Sequence, residues 1–190
     1  MIILVSGTPG VGKTTVAMEI AKRYNLSYFS VSQFIIENKL YVSYDEERQT
    51  YNIDDSVIEK VNREVERLRN VVVETIYPSL LDRADKVIVL RKNPLKLYEE
   101  LKRRKWNDLK VAENVEAEIL GVVSQEAKDW FQSVCEIDVS EKTIDEVISM
   151  VEKGECDKDV DWLSSPEVED LLLKLDKIIT SHDNVYHNEQ

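Results

Sequence analysis

A three-layer α/β domain on a parallel sheet is the fold this sequence predicts, on two observations. Five short β-rich apolar runs recur along the chain, and between them apolar residues repeat three and four apart. The runs are Ile2 to Val5, Leu26 to Val31, Val71 to Val73, Val87 to Leu90 and Val134 to Ile137. They are nearly continuous rather than alternating, which suits strands covered on both faces and hence paired in parallel. The helical spacing covers Thr14 to Tyr24, Asp54 to Leu68, Pro94 to Arg104, Lys110 to Trp130 and Ile144 to Lys153. Within the fourth of these, Trp130 follows the apolar spacing and is expected in the core. Composition shifts at Gly154, after which Pro166 opens one more amphipathic helix to about Thr180 with the stripe Val168, Leu171, Leu172, Leu175, Ile178. The predicted division is therefore a body of residues 1–154 and an extension of residues 155–190. The ending SHDNVYHNEQ is expected to fray, leaving His182 and His187 solvated rather than paired on a metal.

The 190 residues, 43% of them hydrophobic, suffice for one compact core, while the formal charge of −12 argues against a general nucleic-acid coat and leaves that role open only to a local basic patch. Cys135 and Cys156 are too few for a disulfide framework or a cysteine-rich zinc site, and are expected to be ordinary thiols of a reducing compartment. No apolar run reaches the roughly 18 residues of a membrane span, and the N-terminus lacks a basic flank. A cytoplasmic monomer is the expected state.

Charge is unevenly distributed. Residues 91–110 carry eight basic side chains (Arg91, Lys92, Lys96, Lys102, Arg103, Arg104, Lys105, Lys110) against three acidic ones. From Glu155 onward the balance reverses to ten acidic against three basic, and Trp162, among the aspartates, is either an anchor holding the tail to the body or part of a partner-binding peptide.

Chemistry enters directly after the first predicted strand, where Gly7-Thr8-Pro9-Gly10-Val11-Gly12-Lys13-Thr14-Thr15 satisfies the P-loop pattern of Gly, four residues, Gly, Lys, Ser or Thr. Glycines let successive N–H groups turn toward phosphate oxygens, and the following helix adds its positive end. Gly10, Gly12, Lys13, Thr14 and Thr15 are thus the ATP-binding candidates, with Lys13 reaching the β and γ phosphates and Thr14 completing a magnesium shell. A nucleoside triphosphate hydrolase fold follows, with a five-stranded parallel sheet, flanking helices and the extra C-terminal helix. Transfer of the γ-phosphoryl group calls for a lid of cations. Arg91, at the end of the fourth strand, and Arg103 with Arg104, at the end of the next helix, are the candidates to converge over the nucleotide. Trp106, beside them, either stacks on a base or covers the hinge.

The loop GTPGVGKTT, then Glu37, Leu40-Tyr41, Tyr44-Asp45-Glu46-Glu47, Ile53-Asp54, VIVLR, Arg104, Trp106-Asn107 and Asn114 with Glu118 together resemble the adenylate kinase isoenzyme six family. Members of that family are short-lid nucleoside monophosphate kinases also described as ribosome-assembly ATPases. The resemblance covers residues 1–154. It implies magnesium with ATP, AMP as phosphoryl acceptor on a segment of residues 30–53, and a short lid at residues 103–113. It also implies a partner, a platform ribosomal protein of the small subunit (universal family eleven). Arg104 matches the lid arginine and Arg91 the arginine after the fourth strand, which makes both catalytic candidates. Three positions depart from the pattern. Where the family has Asp, any residue, His after the third strand, this chain has Glu74-Thr75-Ile76, so Glu74 is expected to hold magnesium through water and Ile76 cannot orient one. Ile36 stands where some members carry an arginine for the acceptor, and Arg48, with Arg91, is the substitute candidate.

Overall fold

The structure, a computed structural model, describes residues 1–187. Five strands form one sheet in the order β2 (Ser27–Ser30), β5 (Val71–Thr75), β1 (Ile2–Ser6), β6 (Lys86–Arg91), β7 (Cys135–Asp138). Every pairing in it is parallel, with Ile2 beside Val71 and Leu4 beside Val87. The expected five-stranded parallel sheet flanked by helices is the fold observed.

Alternate residues of the strands feed two cores. One face carries Ile2, Leu4, Val71, Val73, Val87 and Val89 under α3 (Ser56–Leu68) and α6 (Val122–Trp130). The other carries Ile3, Val5, Val72, Ile88, Leu90 and Ile137 under α1 (Lys13–Tyr24) and α7 (Ile144–Lys153). A third core lies beside the sheet, where α4 (Pro94–Arg103), α5 (Asp108–Ile119) and α8 (Pro166–His187) meet through Leu97, Leu101, Val115, Val168, Leu171 and Leu175. The apolar stripe of the C-terminal helix is therefore covered by α4 and α5, and Trp162 packs in the same cluster.

Several elements differ from expectation. The segment between β2 and α3 folds into α2 (Val31–Glu37) and an antiparallel hairpin of β3 (Ser43–Asp45) and β4 (Thr50–Asn52). Polar, strongly local interactions build these short pieces: Ser30 accepts from the Gln33 backbone N–H as helix cap, and Asp45 closes the turn onto the N–H groups of Glu47 and Arg48. The single helix expected from Lys110 to Trp130 is two, because Gly121 adopts a left-handed conformation (φ 67°) that ends α5 and resets the helical phase. Trp130 consequently falls outside the core. It is 53% exposed, and its indole N–H donates to the Leu81 carbonyl at 2.8 Å. The ending expected to fray continues α8 through His187, with His182 half-buried; residues 188–190 and the side chain of His187 lie outside the described part.

The cysteines are also not free. Cys135 and Cys156 form a disulfide, their Cα atoms 5.3 Å apart. The chain leaving α7 runs back beside β7, with the Asp157 N–H donating to the Glu136 carbonyl and the Asp157 carboxylate accepting from the Asp138 N–H. That return path, invisible in sequence, brings the sulfurs together. Among the described residues no helix is long and apolar enough to cross a membrane, and no group of three or more metal-ligating side chains is present.

Candidate functional site

The site forms at the carboxyl ends of β1 and β5, where an open parallel sheet places its crevice. β1 delivers the chain into the loop of residues 7–12, and α1 then begins at Lys13 with Gly12 as its cap at φ 97°. No side chain caps that helix and no acidic residue occupies its first turn, so the leading N–H groups are left for an anion. Gly10 has no substitute here. At φ 94° a side chain would be strained, and an added Cβ would lie 2.7 Å from Leu101 Cδ2 and 2.9 Å from Leu97 Cδ1.

Lys13 is 7% exposed and its ammonium donates to the Thr8 carbonyl at 3.2 Å. Burial lowers it from its ordinary 10.5 to about 8, opposed by the charge of Glu74. On the next residue, Thr14 Oγ1 donates to Glu74 Oε1 at 2.8 Å, and the Tyr28 hydroxyl donates to Glu74 Oε2. Burial, and then the Glu74 carboxylate, push the Tyr28 phenol up to about 12. Glu74 reaches this place because the parallel register sets it beside Val5 of β1 and Ser30 of β2.

These groups line a cleft of about 610 Å³. Its floor is Gly10, Gly12, Lys13, Thr14 and Thr15. One wall comes from Ile35, Ile36, Arg48, Thr50, Tyr51 and Ile53, and the other from Arg104, Trp106, Lys110, Glu113 and Asn114, with Glu74, Thr75 and Ile76 between them. The two walls touch across the cleft. Arg48 Nε donates to the Glu113 carboxylate at 3.0 Å, and Lys110 Nζ donates to the Gln49 carbonyl at 2.8 Å. The Lys110 ammonium lies 4.1 Å from the centre of the Trp106 ring and the Arg104 guanidinium 5.6 Å. Arg104 is exposed at the end of α4.

The structure thus gathers Gly10, Gly12, Lys13, Thr14, Thr15, Glu74, Arg48 and Arg104 around one cleft. Arg91 is a correction. It is 4% exposed, does not line the cleft, and is consumed by Glu118 at 2.9 Å and Glu136 at 2.8 Å. Its guanidinium lies against Gly121, behind α5. Its position at the end of a strand suggested a cation aimed at phosphate, whereas two buried carboxylates pull it the other way. Arg103 is exposed and likewise absent from the cleft. Sequence reasoning did not find Tyr28 as the second holder of Glu74, nor Glu113 as the partner of Arg48. Each pair is joined only by the folded sheet and helices, across 46 and 65 residues.

Fold and site together define a P-loop nucleotide-binding protein of the kinase type. The family described as AAA domain matches residues 3–121. A protein of Saccharolobus solfataricus named "Putative adenylate kinase" is 52% identical over 188 residues, covering 97% of this chain and 99% of its own. A protein of the same name from Sulfurisphaera tokodaii is 49% identical over 189 residues and the full length of both chains. Among solved structures, shikimate kinase from Bacteroides thetaiotaomicron superposes with a TM-score of 0.52 at 17% identity, over 80% of this chain and 96% of that one. Thymidylate kinase from Candida albicans gives 0.52 at 16%, over 80% and 89%. The chain belongs to the adenylate kinase-like family of P-loop proteins.

Proposed function

We propose that this protein is a nucleotide kinase that moves the γ-phosphoryl group of ATP to AMP, giving two ADP. The observation that carries the reading is the single cleft in which the phosphate loop faces both the Arg48–Tyr51 hairpin and the Arg104–Trp106 segment. In this reading the donor and the acceptor lie in line between those walls. The archaeal relatives' names support the same activity.

In this reading residues 30–53 hold the acceptor and residues 103–113 serve as lid. An acceptor phosphate oxygen attacks the γ-phosphorus while the bond to the β–γ bridging oxygen breaks, and the leaving group is ADP. The Lys13 ammonium follows the transferring group, the free N–H groups of α1 hold the β-phosphate, and Arg104 neutralises charge as it develops. Arg48 offers the acceptor phosphate whatever edge of its guanidinium Glu113 and Asp45 leave open. The oxygen-only set of Thr14 and Glu74 fits magnesium, with Thr14 as direct ligand and Glu74 acting through water; the ion would supply charge neutralisation on the phosphates.

A second reading makes the chain an ATP-driven assembly switch acting on the platform ribosomal protein that the family resemblance implies. The acidic C-terminal segment favours it as a surface for a basic partner. Ile76 in the cleft weighs against it, since an aliphatic side chain cannot orient an attacking water. One assay separates the two: ADP formation from magnesium ATP alone, with each nucleoside monophosphate, and with the ribosomal protein. Strong acceleration by AMP supports the kinase. Equal rates with and without AMP, together with acceleration by the ribosomal protein, overturn it in favour of the switch.

A further inference from the structure

We propose that Glu118 is a positioning residue of the phosphate loop, acting through the Thr8 hydroxyl, and that Trp162 of the C-terminal segment completes it. The inference rests on the reading of the cleft as the ATP site. Thr8 occupies a position that the P-loop pattern leaves to any residue, so the motif assigns it no role.

Glu118 lies on α5, 2% exposed, and does not line the cleft. Four donors converge on its carboxylate. Oε1 accepts from Arg91 Nε at 2.9 Å, from the Lys92 N–H at 3.1 Å and from the Trp162 indole N–H at 3.1 Å. Oε2 accepts from the Thr8 hydroxyl at 2.7 Å. The same threonine turns its carbonyl to the opposite side, where it accepts from the Lys13 ammonium at 3.2 Å and from the Val11 N–H at 3.3 Å. Thr8 is therefore pinned at both ends, by the carboxylate behind the loop and by the lysine inside it. A shift of Glu118 moves the residue that seats Lys13.

Stability alone is a poor reason for such a carboxylate. Buried ion pairs cost heavily in desolvation and are often replaceable by apolar side chains without loss. What the charge provides is a strong, directional bond to a hydroxyl at one fixed point of a loop that otherwise consists largely of glycine. Trp162 adds the third donor to Oε1, and its ring lies 5.9 Å from the Arg91 guanidinium, so the C-terminal segment reaches the phosphate loop through one carboxylate. A site held by such a supporting shell loses precision when a single member is removed.

The test uses the full chain and four variants: Thr8→Val, Thr8→Ser, Trp162→Phe and the double Thr8→Val/Trp162→Phe. ADP affinity is read by titration calorimetry, kcat and KM for ATP by ADP formation, and folding by thermal melting. Thr8→Val is expected to weaken ADP binding and lower kcat by about tenfold each, and Thr8→Ser to restore most of both. Trp162→Phe keeps the packing ring but loses the N–H, and is expected to lower kcat about threefold with the melting temperature nearly unchanged. The double variant should be no slower than Thr8→Val, because Trp162 acts through the bond already removed. Unchanged ADP affinity and kcat in folded Thr8→Val overturn the proposal, as does a double variant whose losses multiply. Should the wild type fail to phosphorylate AMP, the acceptor reading falls, and ADP affinity alone decides this one. A tenfold loss in Thr8→Val that serine reverses upholds it, and an unchanged constant overturns it.

Discussion

The Thr14 hydroxyl and the Glu74 carboxylate are joined by a 2.8 Å hydrogen bond across 60 residues of sequence. In the proposed reading the bond holds the magnesium ligand and its outer carboxylate in register before any nucleotide arrives. Glu74→Gln keeps the size and an acceptor but removes the charge. It should raise the magnesium concentration needed for half-maximal turnover by about tenfold to a hundredfold, as loss of an outer-shell carboxylate does elsewhere. ATP-dependent turnover measured against free magnesium checks this; an unshifted midpoint would remove Glu74 from the metal's surroundings.

Lys13 carries a cost, because burial of its ammonium outweighs the opposing charges of Glu74 and Glu118. Lys13→Met should therefore abolish phosphoryl transfer while raising the melting temperature of the nucleotide-free protein. Turnover and melting are the two measurements. A folded variant with near-normal transfer would show that the loop is not the catalytic element.

The phosphate loop was legible in sequence because its glycines, lysine and threonine are contiguous and their order is dictated by phosphate geometry. The sheet was legible because strands buried on both faces must be apolar throughout. What escaped depends on contacts across long separations. The hairpin of β3 and β4 is only three residues deep on each side and mostly polar, so no period marks it. The role of Arg91 was misread because a strand-end arginine looks the same whether it faces phosphate or, as here, the carboxylates of Glu118 and Glu136.

Arg104 stands exposed at the cleft, its guanidinium over the Trp106 ring. In the proposed reading, such a cation acts on charge that develops in transfer more than on the resting triphosphate. Arg104→Ala should lower kcat by about tens to thousands of fold and weaken ATP binding only modestly. Equilibrium binding beside steady-state kinetics tests the separation. Parallel loss of affinity at constant kcat would make Arg104 a ground-state clamp.

The disulfide closes a loop of 21 residues that contains the whole of α7. By loop entropy such a link contributes about 3 kcal/mol to stability. Cys156→Ser should lower the melting temperature by roughly 5–10 °C for a chain of this length. Asp157 keeps its bonds to β7 in that variant, so the chain should still fold. Melting with and without reductant checks the assignment: the wild type should lose stability on reduction and the variant should not respond.

Glu116 gives the interface between α5 and α8 a dependence on pH. Its carboxyl is raised from 4.5 to about 7, first by burial and then by the facing Asp176, with Glu113 adding to it. One of its oxygens, Oε2, is buried without a hydrogen-bond partner among the described residues. A carboxyl whose folded value exceeds its unfolded one holds more protons folded than unfolded, so its contribution to stability falls as pH climbs from about 4.5 to about 7 and stays low above that window. Other carboxylates respond to acid in their own ways, so the informative quantity is the difference between wild type and Glu116→Gln, which keeps the shape and cannot ionise. The variant should melt at a higher temperature than the wild type at pH 8, and the gap should close as the pH is lowered toward 4.5. A gap that stays constant across that range would mean that Glu116 ionises as freely in the folded chain as in the unfolded one, and that α8 docks on α5 without regard to its charge.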